Sequence, residues 1–438
     1  MTTRIGLARR DITPPPGLPM DGYDARQAPA QGVLDPLGAR VLHVADGDLE
    51  TCLVSLDVLG VSKEITTRLQ HTIEATTGVP RDAILITATH THAGPIGIAN
   101  PERDHAAVDG FVDDLIAQVL DAAREAQHTA RPCSIRYTEQ ATNAIASNRI
   151  DPDRPTDPLV RVLRFSDQRD DTLHGLVLHY ACHPTVLAEH NLAYSGDFAG
   201  RALHQLEDAL EVPCLFLQRA AADVSTRFTR RARTVAEADR FATALADAAR
   251  TALASPGRAR RADLAITHRS VQLPRRSPPT RQALQALVRT TTEELERALS
   301  HGGGTDSAEL DGGRVRRLQV RRASAQQLLR TSATHQVAEP VTTTLTAVHL
   351  AGTIFVTIPG ELFQATARTI DGYGKDWLPI TLANAYLGYY PTTESITNAE
   401  YESLNTTFDD TSTHALQRTI GHLVDELRHR KSGGEELP

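Results

Sequence analysis

Two histidines one residue apart, His90 and His92, follow an apolar run in the stretch 84-ILITATHTHAGP-95. Side chains at positions i and i+2 of a strand project to the same face, so the two imidazoles are predicted to point together. The run ends at a Gly-Pro break, and the end of a strand is a usual place for an active site in an α/β protein. Taken alone, such a pair is either a metal-binding pair or a hydrogen-bonded strand end.

Two further apolar runs end in side chains that can bind a metal. His183 closes the run in 175-GLVLHYACHPT-185, and Glu361 follows the Pro-Gly break in 353-TIFVTIPGELF-363. Imidazole and carboxylate together suit zinc, and an open coordination position would make such a zinc catalytic. The motif HExxH is absent from the sequence, which excludes a thermolysin-type site. By residue type alone, His90 and His92 would both be ligands.

The composition restricts the class of protein. The chain has 438 residues, of which 40% are hydrophobic, and a formal net charge of −8. Without an overall basic field, nucleic acid is not expected as a partner. The four cysteines lack CxxC spacing, which argues against a disulfide framework or a cysteine-only zinc site. No signal-peptide pattern and no run of roughly 20 apolar residues is found, so we expect a cytoplasmic protein without a transmembrane segment.

Short apolar runs alternate with helical patterns along most of the chain. Runs of about five to eight residues rich in Val, Ile and Leu indicate buried strands, and their alternation with helices indicates an α/β fold. We predict one domain over residues 1–438, built of mixed β-sheets flanked by helices. The predicted strands are 40–47, 51–60, 84–90, 159–165, 175–183, 214–221, 344–352 and 353–360, and the predicted helices are 61–78, 108–127, 235–255 and 411–430.

The segment 256–340 differs from the rest, because it is rich in arginine and polar residues. Helical patterns over 280–300 and 314–333 flank glycines at 302–304 and 312–313. This pattern predicts a helical hairpin inserted into the domain at about 275–335. Its arginines either bind an anion or form a solvated helix face, and the solvated face is the commoner role of such a charge run.

Several motifs, taken together, resemble the catalytic domain of the neutral/alkaline (non-lysosomal) ceramidase family. They occur in the family's order over nearly the whole chain. The family's C-terminal immunoglobulin-like module has no counterpart after about residue 430, so the chain resembles a small bacterial-type member. The matching segments are 7-LARRDITPPPGLPMDGY-23, 32-GVLDPLGAR-40, 54-VSLDVLG-60, 88-ATHTHAGP-95, 183-HPT-185, 222-ADVS-225, 358-IPGEL-362 and 384-NAYLGYYPT-392.

The resemblance implies one zinc ion per chain, with His90, His183, Glu361 and Tyr389 as its ligands. It makes His92 a residue on the substrate side that donates to the developing oxyanion, instead of a ligand. The tyrosine ligand follows from the resemblance alone, because spacing gives no reason to choose a phenol.

The family's GDVS segment carries a serine proposed as nucleophile or proton-transfer group, which the resemblance assigns to Ser225. Here Ala222 replaces the family's glycine, and Thr226-Arg227 replaces its Pro-Asn, so the adjoining pocket is expected to differ. From the residues alone, the segment 223–225 is as well explained by an N-cap before a helix starting near 227.

Three further residues have both a catalytic and a structural interpretation. Arg149 matches the arginine of the family's Asn-Arg-Ser segment, which contacts substrate, whereas a loop arginine is otherwise a solvated surface residue. Tyr401 matches a tyrosine that can donate to the oxyanion, or it is an ordinary half-buried tyrosine. Asp57 either orients a ligand histidine or stabilises a turn.

The expected function is zinc-dependent hydrolysis of an amide (N-acyl) bond, with attack by zinc-activated water or by Ser225. His92, Arg149 and Tyr401 would bind the oxyanion. We expect a small-molecule N-acyl substrate, and ceramide is one member of that class. Shorter amides are favoured over ceramide, because the sequence shows neither an export signal nor the family's C-terminal module. The alternatives are acyl transfer or cyclisation on a biosynthetic intermediate, and a metal-containing binding protein without turnover. The sequence leaves the oligomeric state open.

Overall fold

Buried strands account for most of the apolar runs in the chain. The computed structural model describes residues 3–99, 106–260, 263–301, 308–331, 339–370 and 376–432. Its strands are β1 Arg4–Asp11, β2 Gly32–Val33, β3 Gly38–Asp46, β4 Leu49–Leu56, β5 Ile84–Ala88, β6 Arg131–Ala141, β7 Ser147–Asn148, β8 Leu159–Asp167, β9 Leu173–Tyr180, β10 Ala193–Tyr194, β11 Cys214–Gln218, β12 Val224–Ser225, β13 Arg258–Arg260, β14 Leu264–Leu273, β15 Val341–Leu350, β16 Thr353–Thr357, β17 Glu361–Leu362, β18 Trp377–Ile380 and β19 Tyr389–Tyr390. Its α-helices are α1 Lys63–Thr77, α2 Ala106–His128, α3 Asp197–Leu210, α4 Val235–Ala254, α5 Arg281–His301, α6 Ala308–Thr331, α7 Gln364–Ile370, α8 Thr393–Thr397, α9 Tyr401–Leu404 and α10 Asp410–Ser432.

Two mixed sheets form the framework. The larger sheet has the strand order β11-β9-β8-β6-β1-β3-β4-β5, with β13 joined to β6. Its pairs β4–β5 and β9–β11 are parallel, whereas β1–β3, β3–β4 and β8–β9 are antiparallel. The smaller sheet has the order β14-β15-β16-β18, in which only the pair β16–β18 is parallel. The predicted α/β class with mixed sheets and flanking helices is confirmed.

The two sheets pack face to face between layers of helices. In β4, Val54 belongs to the core that the large sheet shares with α1 to α4, while Leu53 belongs to the core between the sheets. Strands covered on both faces read as continuous apolar runs, which is why these strands were recognisable. The outer face of the small sheet is covered by α10, whose buried Leu416, Ile420 and Leu427 recur at helical spacing.

The arginine-rich segment contains more regular structure than expected. Its residues 264–273 form β14, a strand of the small sheet, before the two helices α5 and α6 pack against each other. Helix α6 begins at Ala308, so the expected break at Gly312 and Gly313 is wrong, whereas the glycines 302–304 lie outside the described residues. Helix α6 also contacts α9, where Asn405 donates to the Ser324 hydroxyl at 3.0 Å.

Among the helices that the structure describes, none combines the length and the apolarity that a bilayer-spanning helix requires.

Candidate active site

The two histidines of the HTH motif follow β5 in a tight turn. His90 has a φ of 72°, a left-handed conformation that is uncommon outside glycine and that costs about 1–3 kcal/mol. Backbone hydrogen bonds hold the turn: Thr89 N–H donates to the Leu56 carbonyl at 2.9 Å, and His90 N–H donates to the Val58 carbonyl at 3.1 Å. The prediction that strand alternation aligns the pair is wrong, because the strand ends at Ala88. The turn itself brings the two ring centroids to 5.0 Å.

The segment after β9 brings a third imidazole, His183, to the same point. Its ring centroid lies 4.7 Å from that of His90 and 5.9 Å from that of His92, and one ligand nitrogen from each ring lies within 4.8 Å of the others. In each ring Nδ1 faces a backbone carbonyl, which can only accept, so in the neutral ring Nδ1 carries the proton and Nε2 presents a lone pair. The carbonyls are those of Leu59 for His90 (2.6 Å), Gly22 for His92 (2.9 Å) and Val224 for His183 (3.0 Å).

The carboxylate of Glu361 completes this cluster. Its Oε2 lies 3.5 Å from His90 Nε2 and 3.0 Å from His183 Nε2. The preceding Gly360 has a φ of 151°, and a Cβ there would lie 2.4 Å from the Gly388 carbonyl oxygen, so the turn requires glycine. Burial opposes ionisation of Glu361, and positive charge at His90 and His183, from protonated rings or from a cation in their place, is what would hold its pKa well below its usual range.

The cluster fits a metal cation. Nε2 of His90, Nε2 of His92 and Oε2 of Glu361 are buried and lack a hydrogen-bond partner. Lone pairs that converge in this way repel one another unless a cation lies between them. Atoms about 2.0–2.2 Å from one zinc ion, at tetrahedral angles, lie about 3.3–3.6 Å apart. The Glu361 separations of 3.5 and 3.0 Å are close to that spacing.

Arg149 joins the cluster to two other predicted site residues. It follows β7 and is buried, with Nη1 3.2 Å from His183 Nε2 and Nη2 3.4 Å from the Tyr389 hydroxyl. Its Nε donates to Glu402 at 2.7 Å. Burial opposes its charge, but Glu402 raises the pKa of Arg149 above its usual value. Arg149 is therefore a charged, fixed donor inside the site, not a solvated surface residue.

Tyr389 lies next to the carboxylate and to Arg149. Strands β17 and β19 are parallel, and their register pairs Glu361 with Tyr389. Burial and the charge of Glu361 raise the pKa of Tyr389 well above its usual value. The Tyr401 ring lies 6.0 Å from that of Tyr389 in an edge-to-face arrangement, and burial raises its pKa to about 12. Both phenols are therefore protonated donors at neutral pH.

Ser225 lies beside His183. An isolated bridge pairs the two residues, and β12 pairs with β7 so that Ser225 also lies next to the segment that carries Arg149. Its buried Oγ accepts a hydrogen bond from Arg227 N–H at 3.2 Å. The N-cap interpretation is wrong, because the next helix, α4, begins at Val235.

A family model for the N-terminal part of neutral/alkaline non-lysosomal ceramidases matches residues 3–249. The chain belongs to this family. Its members are hydrolases that act on amide bonds. The fold is similar to that of the neutral ceramidase from Pseudomonas aeruginosa, with a TM-score of 0.77 and 18% identity over 98% of this chain and 75% of that one. It is also similar to a ceramidase complexed with C2, with a TM-score of 0.75 and 17% identity over 98% of this chain and 76% of that one.

For this member of the ceramidase family, the hydrogen bonding of His92 conflicts with the expected donation to an oxyanion. The Gly22 carbonyl accepts a hydrogen bond from its Nδ1, and burial lowers the pKa of His92 well below its usual value. A neutral His92 in this tautomer offers Nε2 only as a ligand or as a hydrogen-bond acceptor. Gly22 allows this approach, since a Cβ there would lie 2.6 Å from Cβ of His92.

Asp57 was predicted either to orient a ligand histidine or to stabilise a turn, and its contacts favour the structural role. Its Oδ2 accepts from Gly38 N–H at 2.8 Å and from Arg40 Nη1 at 2.7 Å. Arg40 is buried and also pairs with Glu207 of α3. Asp57 thus connects β3 and α3 to the end of β4, and among the described residues no hydrogen bond joins it to an imidazole.

Two residues of the site were missed by the sequence analysis. Tyr386 donates to Oε1 of Glu361 at 2.9 Å, which leaves Oε2 directed at the histidines. Its signal was present, because Tyr386 is the first tyrosine of the same Asn-x-Tyr-x-x-Tyr segment that contains Tyr389. Glu402, the charge partner of Arg149, gave no comparable signal.

Proposed function

We propose that the protein hydrolyses the amide bond of N-acyl compounds at a zinc centre held by His90, His183, Glu361 and Tyr389. Family membership supports the amide bond as the bond cleaved. The observation that carries the metal is the convergence of unpartnered lone pairs on His90 and Glu361. When bound, zinc supplies a Lewis acid that polarises a carbonyl group and acidifies water.

Tyr389 and His92 compete for the fourth ligand position. The resemblance to the family favours Tyr389, which pairs in register with Glu361. Geometry favours His92, because its Nε2 lies in the three-imidazole group and has no partner. We retain Tyr389 as the ligand and propose that His92 accepts a hydrogen bond from the substrate or the nucleophile.

Arg149 and Tyr401 are the proposed donors to the oxyanion. Arg149 carries a fixed positive charge, and Tyr401 keeps its proton because its pKa is about 12. Removal of one such donor typically costs about a hundredfold or more in rate. The Arg149 guanidinium lies 5.8 Å from the centre of the Tyr401 ring, so both groups serve the same side of the site.

Water and Ser225 are the two candidate nucleophiles. Ser225 is buried next to His183, and a serine attack would transfer the acyl group to Oγ and release the amine. An activated ester of the substrate acid would then leave an acyl adduct that intact-protein mass spectrometry detects. Direct attack by water leaves the protein mass unchanged.

The test is to incubate the zinc-loaded protein with a series of N-acyl amides that ranges from short N-acyl compounds to ceramide, and to quantify released fatty acid and amine. We expect equal amounts of both products, and loss of the reaction with a chelator. Acyl transfer or cyclisation would instead release the amine, or consume the amide, without free acid. Binding of the amides without any product would refute the proposal in favour of a binding protein.

A further inference from the structure

Two arginines donate to consecutive carbonyl groups next to the site. Arg227 Nη1 donates to the Arg149 carbonyl at 2.8 Å, and Arg317 Nη1 of helix α6 donates to the Ile150 carbonyl. Both side chains are partly exposed. A guanidinium has five N–H donors, so each has others that are left for a ligand. The peptide segment 149–150 thus contacts one positive group through each of its two carbonyls.

Both arginines interact with carboxylates only through longer-range charge, Arg317 with Glu400 and Arg227 with Glu402. Among the ion pairs of the described ranges, none involves Arg227 or Arg317. The carboxylates nearby have other partners: Glu402 pairs with Arg149, and Glu189 pairs with Arg233 at 3.0 Å. Burial and repulsion from Arg149 lower the pKa of Arg227 to about 9. The local charge excess therefore disfavours the positive charge of Arg227, and a bound anion would compensate it.

A cavity adjoins Arg317, one of these two arginines. Its volume is about 460 Å³, and it lies between α5, α6 and the residue that precedes Tyr401. Four arginines and two glutamates line the cavity, so the net charge of its lining is positive. The lining residues are Glu294, Arg297, Ala298, Arg314, Arg317, Leu318, Arg321 and Glu400.

Arg149 connects Arg227 to the proposed metal-binding side chains. Its carbonyl contacts Arg227, while its guanidinium contacts His183 and Tyr389. One residue therefore spans the distance between the two places. A substrate whose amide lies at His183 and that extends along the length of Arg149 would bring a second group towards Arg227.

We propose that the substrate carries an anionic group, a carboxylate or a phosphate, and that Arg227 and Arg317 bind this group beside the metal cluster. The inference rests on the proposed amide hydrolysis and names its substrate class. Guanidinium groups match the planar fork of a carboxylate and the oxygens of a phosphate, and charge-assisted hydrogen bonds are about twice as strong as neutral ones. A neutral amide would offer neither arginine a counter-charge.

The experiment compares three amides with one acyl chain: N-octanoylglycine with a carboxylate, N-octanoylethanolamine phosphate with a phosphate, and neutral N-octanoylethanolamine. We expect kcat/KM to be about tenfold or more higher for at least one of the anionic amides, with the better one identifying the anion. The advantage should shrink as salt is added, because screening weakens charge interactions.

Arg227→Gln and Arg317→Gln should each reduce the ratio of anionic to neutral kcat/KM by about tenfold, and Arg227→Lys should restore part of it. The matched control is Arg289→Gln, which removes the same charge from an exposed position of α5 and should leave the ratio unchanged. Thermal melting of each variant checks that the hairpin still packs.

Equal rates on neutral and anionic amides, unaffected by Arg227→Gln, would overturn the inference while amide hydrolysis stands. If none of the amides is cleaved, the proposed function fails, and calorimetric binding of the same amides to the metal-free protein decides the inference independently. Tighter binding of the anionic amides that is lost in Arg227→Gln supports it, and equal binding overturns it.

Discussion

Substitution of the two HTH histidines distinguishes a metal ligand from its neighbour. His90→Ala removes a fully buried imidazole whose Nε2 lies 3.5 Å from the Glu361 carboxylate. His92→Ala removes a ring that is held by the Gly22 carbonyl and that we assign to the substrate side. We expect His90→Ala to lose zinc and His92→Ala to keep it.

The magnitude follows from sharing the binding free energy among the ligands. Zinc held by four protein ligands has an apparent binding free energy of roughly 10–16 kcal/mol. An even share is about 2.5–4 kcal/mol per ligand, so His90→Ala should weaken zinc binding by about two to three powers of ten. His92→Ala should change the zinc Kd by less than about tenfold. The kcat should fall by about a hundredfold or more, with a smaller change in KM, because the group that accepts a hydrogen bond from the nucleophile is lost.

The assay is zinc content by elemental analysis, zinc Kd by competition with a chelator, and steady-state kinetics on both variants. His43→Ala is the matched control, because His43 is a buried histidine of β3 that pairs with Glu50 outside the site. If His92→Ala loses zinc while His90→Ala keeps it, the assignment within the pair is reversed. Loss of zinc from both makes His92 a ligand, and loss from neither removes the basis for a metal centre here.

Three further predictions test the surroundings of the site. Tyr386→Phe removes the 2.9 Å hydrogen bond to Glu361 and should weaken zinc binding by about 10–100-fold in a chelator competition; an unchanged Kd would show that Tyr386 does not position the carboxylate. Glu402→Gln leaves the buried Arg149 charge without its counter-charge and should lower the free energy of unfolding by about 3–5 kcal/mol. Urea denaturation measures this change, and a loss below about 1 kcal/mol would contradict the prediction. Burial and the charge of Arg161 lower the pKa of His179 to about 3. Below about pH 6.5 the unfolded chain therefore binds a proton at this histidine that the folded chain does not bind. The free energy of unfolding consequently falls as the pH decreases towards 3. By pH 4.5 this loss is on the order of 3 kcal/mol, and His179→Gln should abolish it; equal acid sensitivity of variant and parent would disprove the assignment.

The local sequence pattern was sufficient to predict most of the strands and helices of the framework. Strands such as β4 and β5 are covered on both faces, and their uninterrupted apolar runs are visible without any tertiary information. Strand β14 was missed, because only four of its ten residues are buried and its sequence resembles the polar segment that follows it. Helix α3 was missed as well, since its N-cap residue Gly196 makes no side-chain capping bond and Asp197 begins the helix at a φ of 50°.

The candidate site depended much more on contacts between distant residues. The resemblance identified Arg149 by its motif, but its burial depends on Glu402, which is 253 residues away in the chain. No local spacing carries such a pairing. The protonation of His92 was equally invisible, because it is determined by which atom faces Nδ1, here the Gly22 carbonyl. Sequence motifs thus gave the residue types at the site, and the fold determined which atoms they present.

The two sides of the site are built in physically different ways. The imidazoles of His90 and His183 are oriented by the backbone carbonyls of Leu59 and Val224. Because every residue type has a backbone carbonyl, the side chains at positions 59 and 224 do not determine these tautomers. The substrate side is formed by side chains instead, above all Arg227, which stands where the family has a polar neutral residue. Substitutions can therefore change the charge that the site selects without moving the metal ligands. If the proposed metal site and anion site are both correct, a substitution at Arg227 would alter the class of amide bound without affecting zinc affinity.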